Sequence, residues 1–150
     1  MKRITTYNVK LIKEECHLYD LPDNVADSSS KAGNIIQTVL DLNSSTVEKF
    51  GMLCLDAQKK IIGIHIISIG GLAEATIDMR SIFQRALLNN SHSIIVFHNH
   101  PGGGPKPSLP DIDATKRIKE AGRIMGIELI DHIICADEGS YTSFAEQGLL

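Results

Sequence analysis

Ile94-Ile95-Val96-Phe97-His98-Asn99-His100-Pro101 is an apolar run that drives straight into a His-x-His pair. In a strand, side chains alternate with period two, so both imidazoles project to the same side. Pro101, Gly102, Gly103, Gly104, Pro105, Lys106 and Pro107 follow. That composition neither continues a strand nor starts a helix, and it predicts a stiffened turn that returns the chain over the strand end. Ser108-Leu109-Pro110-Asp111 then has the Ser-x-x-Asp spacing of a helix capping box, which fixes a carboxylate in the first helical turn. Taken singly, a His-x-His is an ordinary surface pair and a Ser-x-x-Asp an ordinary cap. Together, His98, His100 and Asp111 offer two nitrogens and one oxygen on rigid elements. Three such ligands with an open fourth position are the catalytic pattern for Zn2+, and they point to a metal-activated hydrolase.

Working outward, apolar runs at Phe50–Asp56 and Ile61–Ile69 predict two strands joined by the turn Ala57-Gln58-Lys59-Lys60. Gly70 and Gly71 open a loop. Met79–Leu88 predicts a helix with Ile82, Phe83, Ala86 and Leu87 on one face. Ser93–His98 reads as a buried strand, Asp111–Met125 as a helix and Glu128–Cys135 as another strand. A Gly139 turn, a short edge at Tyr141 and a helical turn over Phe144–Gln147 complete this part. Strands interleaved with helices predict an α/β fold, a mixed sheet flanked by helices. Upstream, Tyr7, Val9 and Leu11 alternate with polar residues and predict a strand over Thr6–Cys16. Ser28-Ser29-Ser30 offers N-caps for a helix carrying Ile35, Ile36, Val39, Leu40 and Leu42. The expected organisation is an N-terminal strand–helix extension, residues 1–45, packed on a core of residues 46–150.

At 150 residues and 43% hydrophobic content, the chain suits one domain with one core. No stretch approaches the roughly 18 apolar residues of a membrane span, and Met1-Lys2-Arg3-Ile4 opens no signal-peptide core. Cys16, Cys54 and Cys135 are odd in number, widely spaced and set among apolar residues, which predicts reduced thiols and a cytoplasmic protein. The net charge of −3 argues against a strong nucleic-acid partner. Lys116, Arg117, Lys119 and Arg123 read as a solvated helix face. His17, His65 and His92 have no partner spacing and read as solvent-facing or locally satisfied. The apolar strands offer an edge for a homodimer.

The pattern His98-Asn99-His100-Pro101-x-Gly103-x-Pro105-x-Pro107-Ser108-x-x-Asp111 resembles the JAMM motif of MPN/JAB metalloproteases, in the form carried by RadC-type (UPF0758) proteins. The resemblance runs from about Glu48 to the C-terminus and takes in Leu129-Ile130-Asp131-His132-Ile133-Ile134 and Tyr141-Thr142-Ser143-Phe144-Ala145-Glu146. It implies a cytidine-deaminase-like three-layer domain, a zinc-dependent peptidase or isopeptidase acting on a protein or peptide, and an upstream glutamate as general base. Glu48 is the matching position, with Glu74 a rival carboxylate. Ser108 would steady an oxyanion, in competition with capping its helix. Asp131 and His132 point to opposite faces of a regular strand, and one of them would support a ligating imidazole from behind. The resemblance also carries an association with DNA repair, but the 45 residues before the core lack the helix-hairpin-helix signature of the longer family form. Two other functions stay open on these residues: a non-catalytic module that binds a partner or DNA, and a metal-dependent nuclease.

Overall fold

The computed structural model describes residues 1–70 and 77–150, and among these residues five strands pair into one mixed sheet. The strands are β1 (Lys49–Leu55), β2 (Ile61–Ile69), β3 (Ser93–Asn99), β4 (Glu128–Cys135) and β5 (Tyr141–Ser143), in spatial order β2-β1-β3-β4-β5. β1 runs antiparallel to both β2 and β3, β3 parallel to β4, and β4 antiparallel to β5. The parallel β3–β4 step needs a crossover, and helix α3 (Leu109–Met125) supplies it. Helices α1 (Ser29–Leu40) and α2 (Met79–Leu88) complete the set.

Strand alternation divides the apolar side chains between two layers. Phe50, Met52 and Cys54 of β1, with Ile94 and Val96 of β3, pack against Ile82, Phe83 and Ala86 of α2 and Ile118 of α3. Leu53, Leu55, Ile95 and Phe97 face the other way, onto Ala32 and Ile36 of α1. The single expected core is thus two, one on each face of the sheet, and the result is three layers. β4 would keep one phase throughout, but its register with β3 slips: Ile94 pairs with Leu129 and Ile95 with Asp131. Ile130 is the extra residue. The slip lets Leu129 and His132 share the α2/α3 face, while Asp131 turns to the α1 face.

The strand expected over Thr6–Cys16 does not form; those residues carry no regular structure and are exposed. Alternation makes a segment two-faced, but a strand also needs a neighbouring edge to satisfy its backbone groups. The chain first meets the sheet at Val25, which bridges Lys60 just before β2, with Ala26 N–H on Lys59 C=O at 2.9 Å. The helical turn expected near Phe144 is a hydrogen-bonded turn, closed by Gln147 N–H on Ser143 C=O at 3.2 Å. The remaining elements stand within two residues of the expected bounds. No helix among the described residues is long and apolar enough to cross a membrane.

Candidate metal centre

β3 ends inside the protein, and its last turn of sequence builds the site. His98 is fully buried, packed near Phe50 with ring centroids 6.5 Å apart, on the α2/α3 face of the sheet. His100 lies just past the strand end and is 21% exposed at its side chain. Between them, Asn99 points to the opposite face. Its Oδ1 accepts Lys49 N–H at 2.7 Å and its Nδ2 donates to Val47 C=O at 3.2 Å. The middle residue of the His-x-His therefore clamps the backbone on both sides of Glu48.

The glycine–proline segment then turns the chain back. Gly102 has φ +65°, a conformation open to glycine at little cost. Gly103 N–H closes the turn on His100 C=O at 3.2 Å, and Gly104 C=O lies 3.1 Å from His100 Nδ1. Ser108 caps α3 as expected: its Oγ accepts Asp111 N–H at 3.2 Å, and Asp111 Oδ2 accepts Ser108 N–H at 2.7 Å. This reciprocal box holds the Asp111 carboxylate, 1% exposed, against both imidazoles.

The three side chains meet at ligand distances. His98 Nε2 and His100 Nε2 are 2.9 Å apart. Asp111 Oδ1 is 3.3 Å from His98 Nε2, and Asp111 Oδ2 is 3.4 Å from His100 Nε2. Two ligand atoms each about 2 Å from a tetrahedral zinc ion stand roughly 3.3 Å from one another. The donor chemistry agrees with that spacing. His100 Nδ1 faces a carbonyl, which can only accept, so its proton sits on Nδ1 and its Nε2 presents a lone pair. A carboxylate and such nitrogens repel unless a cation joins them, whether a proton or a divalent ion. Electrostatics show the same tension. Burial opposes the Asp111 charge, yet His100 and His98, when protonated, hydrogen-bond the carboxylate, outweigh that cost and hold the carboxyl far below the usual carboxylate range. The Asp111 hydrogen bond raises the pKa of His100, against the effect of burial, with Gly104 C=O and the charges of Asp111 and Glu48 adding to it. His98, His100 and Asp111 are a group that suits a metal ion.

Glu48 lies beside this group. Phe50 pairs with His98, and continuing that antiparallel register by two residues sets Glu48 across from His100. Its C=O accepts Gly70 N–H at 2.8 Å, tying it to the end of β2. Glu74 lies outside the described residues. Ser108, expected to choose between roles, is exposed and serves the cap as an acceptor, which leaves its own O–H to give.

Behind these three side chains is a layer that local sequence only hinted at. His132 is fully buried and its Nε2 lies 2.8 Å from His98 Nδ1. Its Nδ1 lies 2.6 Å from Thr115 Oγ1, which also lies 2.6 Å from Asp111 C=O. Burial pushes the His132 pKa well below the usual imidazole value, with the neighbouring His98 adding to the effect. Asp131, on the other face, accepts hydrogen bonds from Ser29 Oγ (2.9 Å), Ser143 Oγ (2.6 Å) and Ala145 N–H (3.0 Å) and ties α1 to the C-terminal segment. The two neighbours do address opposite faces, as expected. Thr115, Asn99 and Gly104 escaped the sequence reading. A threonine four residues past Asp111 carried the one usable signal, since it shares that helix face. Of the other histidines, His65 is satisfied by Asn89 at 2.7 Å, and His17 and His92 are exposed.

The profile of the RadC-like JAB domain matches residues 26–149. A UPF0758 protein of Symbiobacterium thermophilum is 39% identical over 105 residues, covering 70% of this chain and 44% of its own. One from Pelobacter propionicus is 43% identical over 110 residues, covering 73% and 48%. One from Porphyromonas gingivalis is 37% identical over 128 residues, covering 85% and 55%. The chain spans about half the length of these curated relatives. With the three-layer fold and all five strands inside the matched residues, the chain belongs to the RadC-like JAB domain family.

Proposed function

We propose that this chain is a zinc-dependent hydrolase of the JAMM class, cleaving a peptide or isopeptide bond in the cytoplasm. One observation carries the proposal: one ligand atom from each of His98, His100 and Asp111 lies within 4.8 Å of the others, with His98 on a strand, His100 just past its end and Asp111 in the first turn of a helix. His98, His100 and Asp111 would hold the ion. A zinc ion held there would supply Lewis acidity, lowering the pKa of a bound water to about 7.

The remaining work falls to the chain. Glu48, across from His100, takes a proton from the attacking water and returns it to the leaving amine nitrogen. Water's oxygen ends on the new carboxyl and its protons on carboxyl and amine. Ser108 donates its O–H to the oxygen on which charge develops, while Asp111 N–H continues to bond the other side of the same hydroxyl. Asn99 holds the backbone that carries the base.

Glu48→Gln separates this function from a non-catalytic module. Zinc-loaded wild type should turn over a panel of peptide and isopeptide-linked substrates, and Glu48→Gln should lose at least 100-fold in rate with zinc still bound. Turnover of nucleic acid instead would make the site a nuclease. Unchanged peptide turnover in Glu48→Gln would remove Glu48 from the mechanism.

A further inference from the structure

Thr115 has one hydroxyl proton and two neighbours at 2.6 Å, Asp111 C=O and His132 Nδ1. The carbonyl can only accept, so the hydroxyl proton belongs there. Thr115 Oγ1 must then accept from His132, which puts the His132 proton on Nδ1. A neutral His132 with its proton on Nδ1 has an acceptor at Nε2. His98 Nδ1, 2.8 Å away, is left as the donor, and the His98 Nε2 lone pair turns to His100 and Asp111. The chain of protons thus runs in one direction, from His98 through His132 and Thr115 to the backbone of α3.

We propose that His132 and Thr115 are positioning residues that lock His98 in the tautomer able to ligate a metal ion. The lock rests on the metal-binding function proposed above, but its first consequence, the location of the His98 proton, holds with or without a metal.

The surroundings are built to keep this chain in place. Phe144 stacks on His132 at 4.5 Å between centroids with planes 19° apart, and Phe50 meets it edge-on at 6.0 Å. His132 pairs with Val96 across β3 and β4, so both imidazoles rise from the same sheet face. The register slip at Ile130 is what brings His132 to that face. Thr115 lies one helical turn beyond Asp111, so one helix turn carries both a ligand and the end of the relay. Metal-ligating histidines commonly gain 10- to 100-fold in affinity from such partners.

The test uses Thr115→Val, Thr115→Ser, His132→Phe and His132→Gln in the full chain. Two-bond nitrogen–proton NMR spectra of zinc-free protein at pH 8 locate the imidazole protons, and titration with zinc under a competing chelator gives affinity. Wild-type His98 should carry its proton on Nδ1. Thr115→Val removes the acceptor for His132, so His98 should lose its single tautomer and zinc affinity should fall 10- to 100-fold, although Thr115 touches neither His98 nor zinc. Thr115→Ser should restore both. His132→Phe should match Thr115→Val, and His132→Gln, whose amide can both accept and donate, should stay within about fivefold of wild type. A His98 proton on Nε2 in the wild type overturns the proposal without any variant. So does Thr115→Val with wild-type tautomer and affinity. A wild type that shows the expected tautomer but binds no zinc sinks the metal function and leaves the relay standing.

Discussion

His100 is the most exposed of the three candidate ligands, and its protonation sets how the proposed centre responds to pH. Asp111 raises its pKa above the ordinary imidazole value of about 6.5. In metal-free protein, the stability it contributes is therefore complete below about pH 6.5 and is lost as pH rises through the raised value. The Asp111 carboxyl has the opposite sign: its contribution is present above about pH 3.9 and is lost only as acid drives it towards its depressed value. Zinc needs the unprotonated imidazole. Thermal unfolding from pH 6 to 8 should thus show metal-free protein losing stability while the zinc-induced gain in Tm grows. A zinc-induced gain that shrinks over that range would contradict the assignment of His100 as a ligand.

At the scale of elements, β1 is the strand that joins the site to the rest of the sheet. It lies between β2 and β3, and Gly51 is where it passes closest to its neighbours. A Cβ there would come within 2.5 Å of Phe97 Cζ and 2.6 Å of His65 C=O. Phe97 is fully buried and the carbonyl is backbone, so neither can step aside. Gly51→Ala should cost about 1–3 kcal/mol of stability, read as a lower midpoint in urea. An unchanged midpoint would show that β1 has slack. The position of β1 was legible in sequence because its apolar run is bounded by turn residues. The need for glycine at its second pair was not, since the clash comes from strands more than ten residues away. The same holds for the site. His98, His100, Ser108 and Asp111 lie within one strand–turn–helix and could be read from spacing. His132 and Thr115 reach His98 only through the parallel pairing of β3 and β4 and one extra residue at Ile130, which no local pattern encodes.

For the whole molecule, burial rather than sequence position decides which groups can react. Cys54 and Cys135 belong to opposite faces of the sheet, and burial pushes their thiols up to about 11 and about 12. Cys16 lies in the exposed N-terminal segment. Iodoacetamide at pH 8 should therefore label one thiol per folded chain and three after unfolding, counted by intact mass. Rapid labelling of all three in the folded protein would contradict the two-cluster packing. The N-terminal segment also shows where sequence reading stops. Tyr7, Val9 and Leu11 alternate as strand residues do, but no edge of the sheet takes them up, and alternation says nothing of a partner.

The proposed function stands or falls with a metal at the end of β3, which metal analysis of purified protein detects. After dialysis from zinc-replete buffer, wild type should carry one zinc per chain, and His98→Ala and Asp111→Ala should each carry close to none while keeping the wild-type circular dichroism spectrum. Wild type without zinc, or folded variants that keep it in full, would contradict the assignment of His98, His100 and Asp111 as a metal centre.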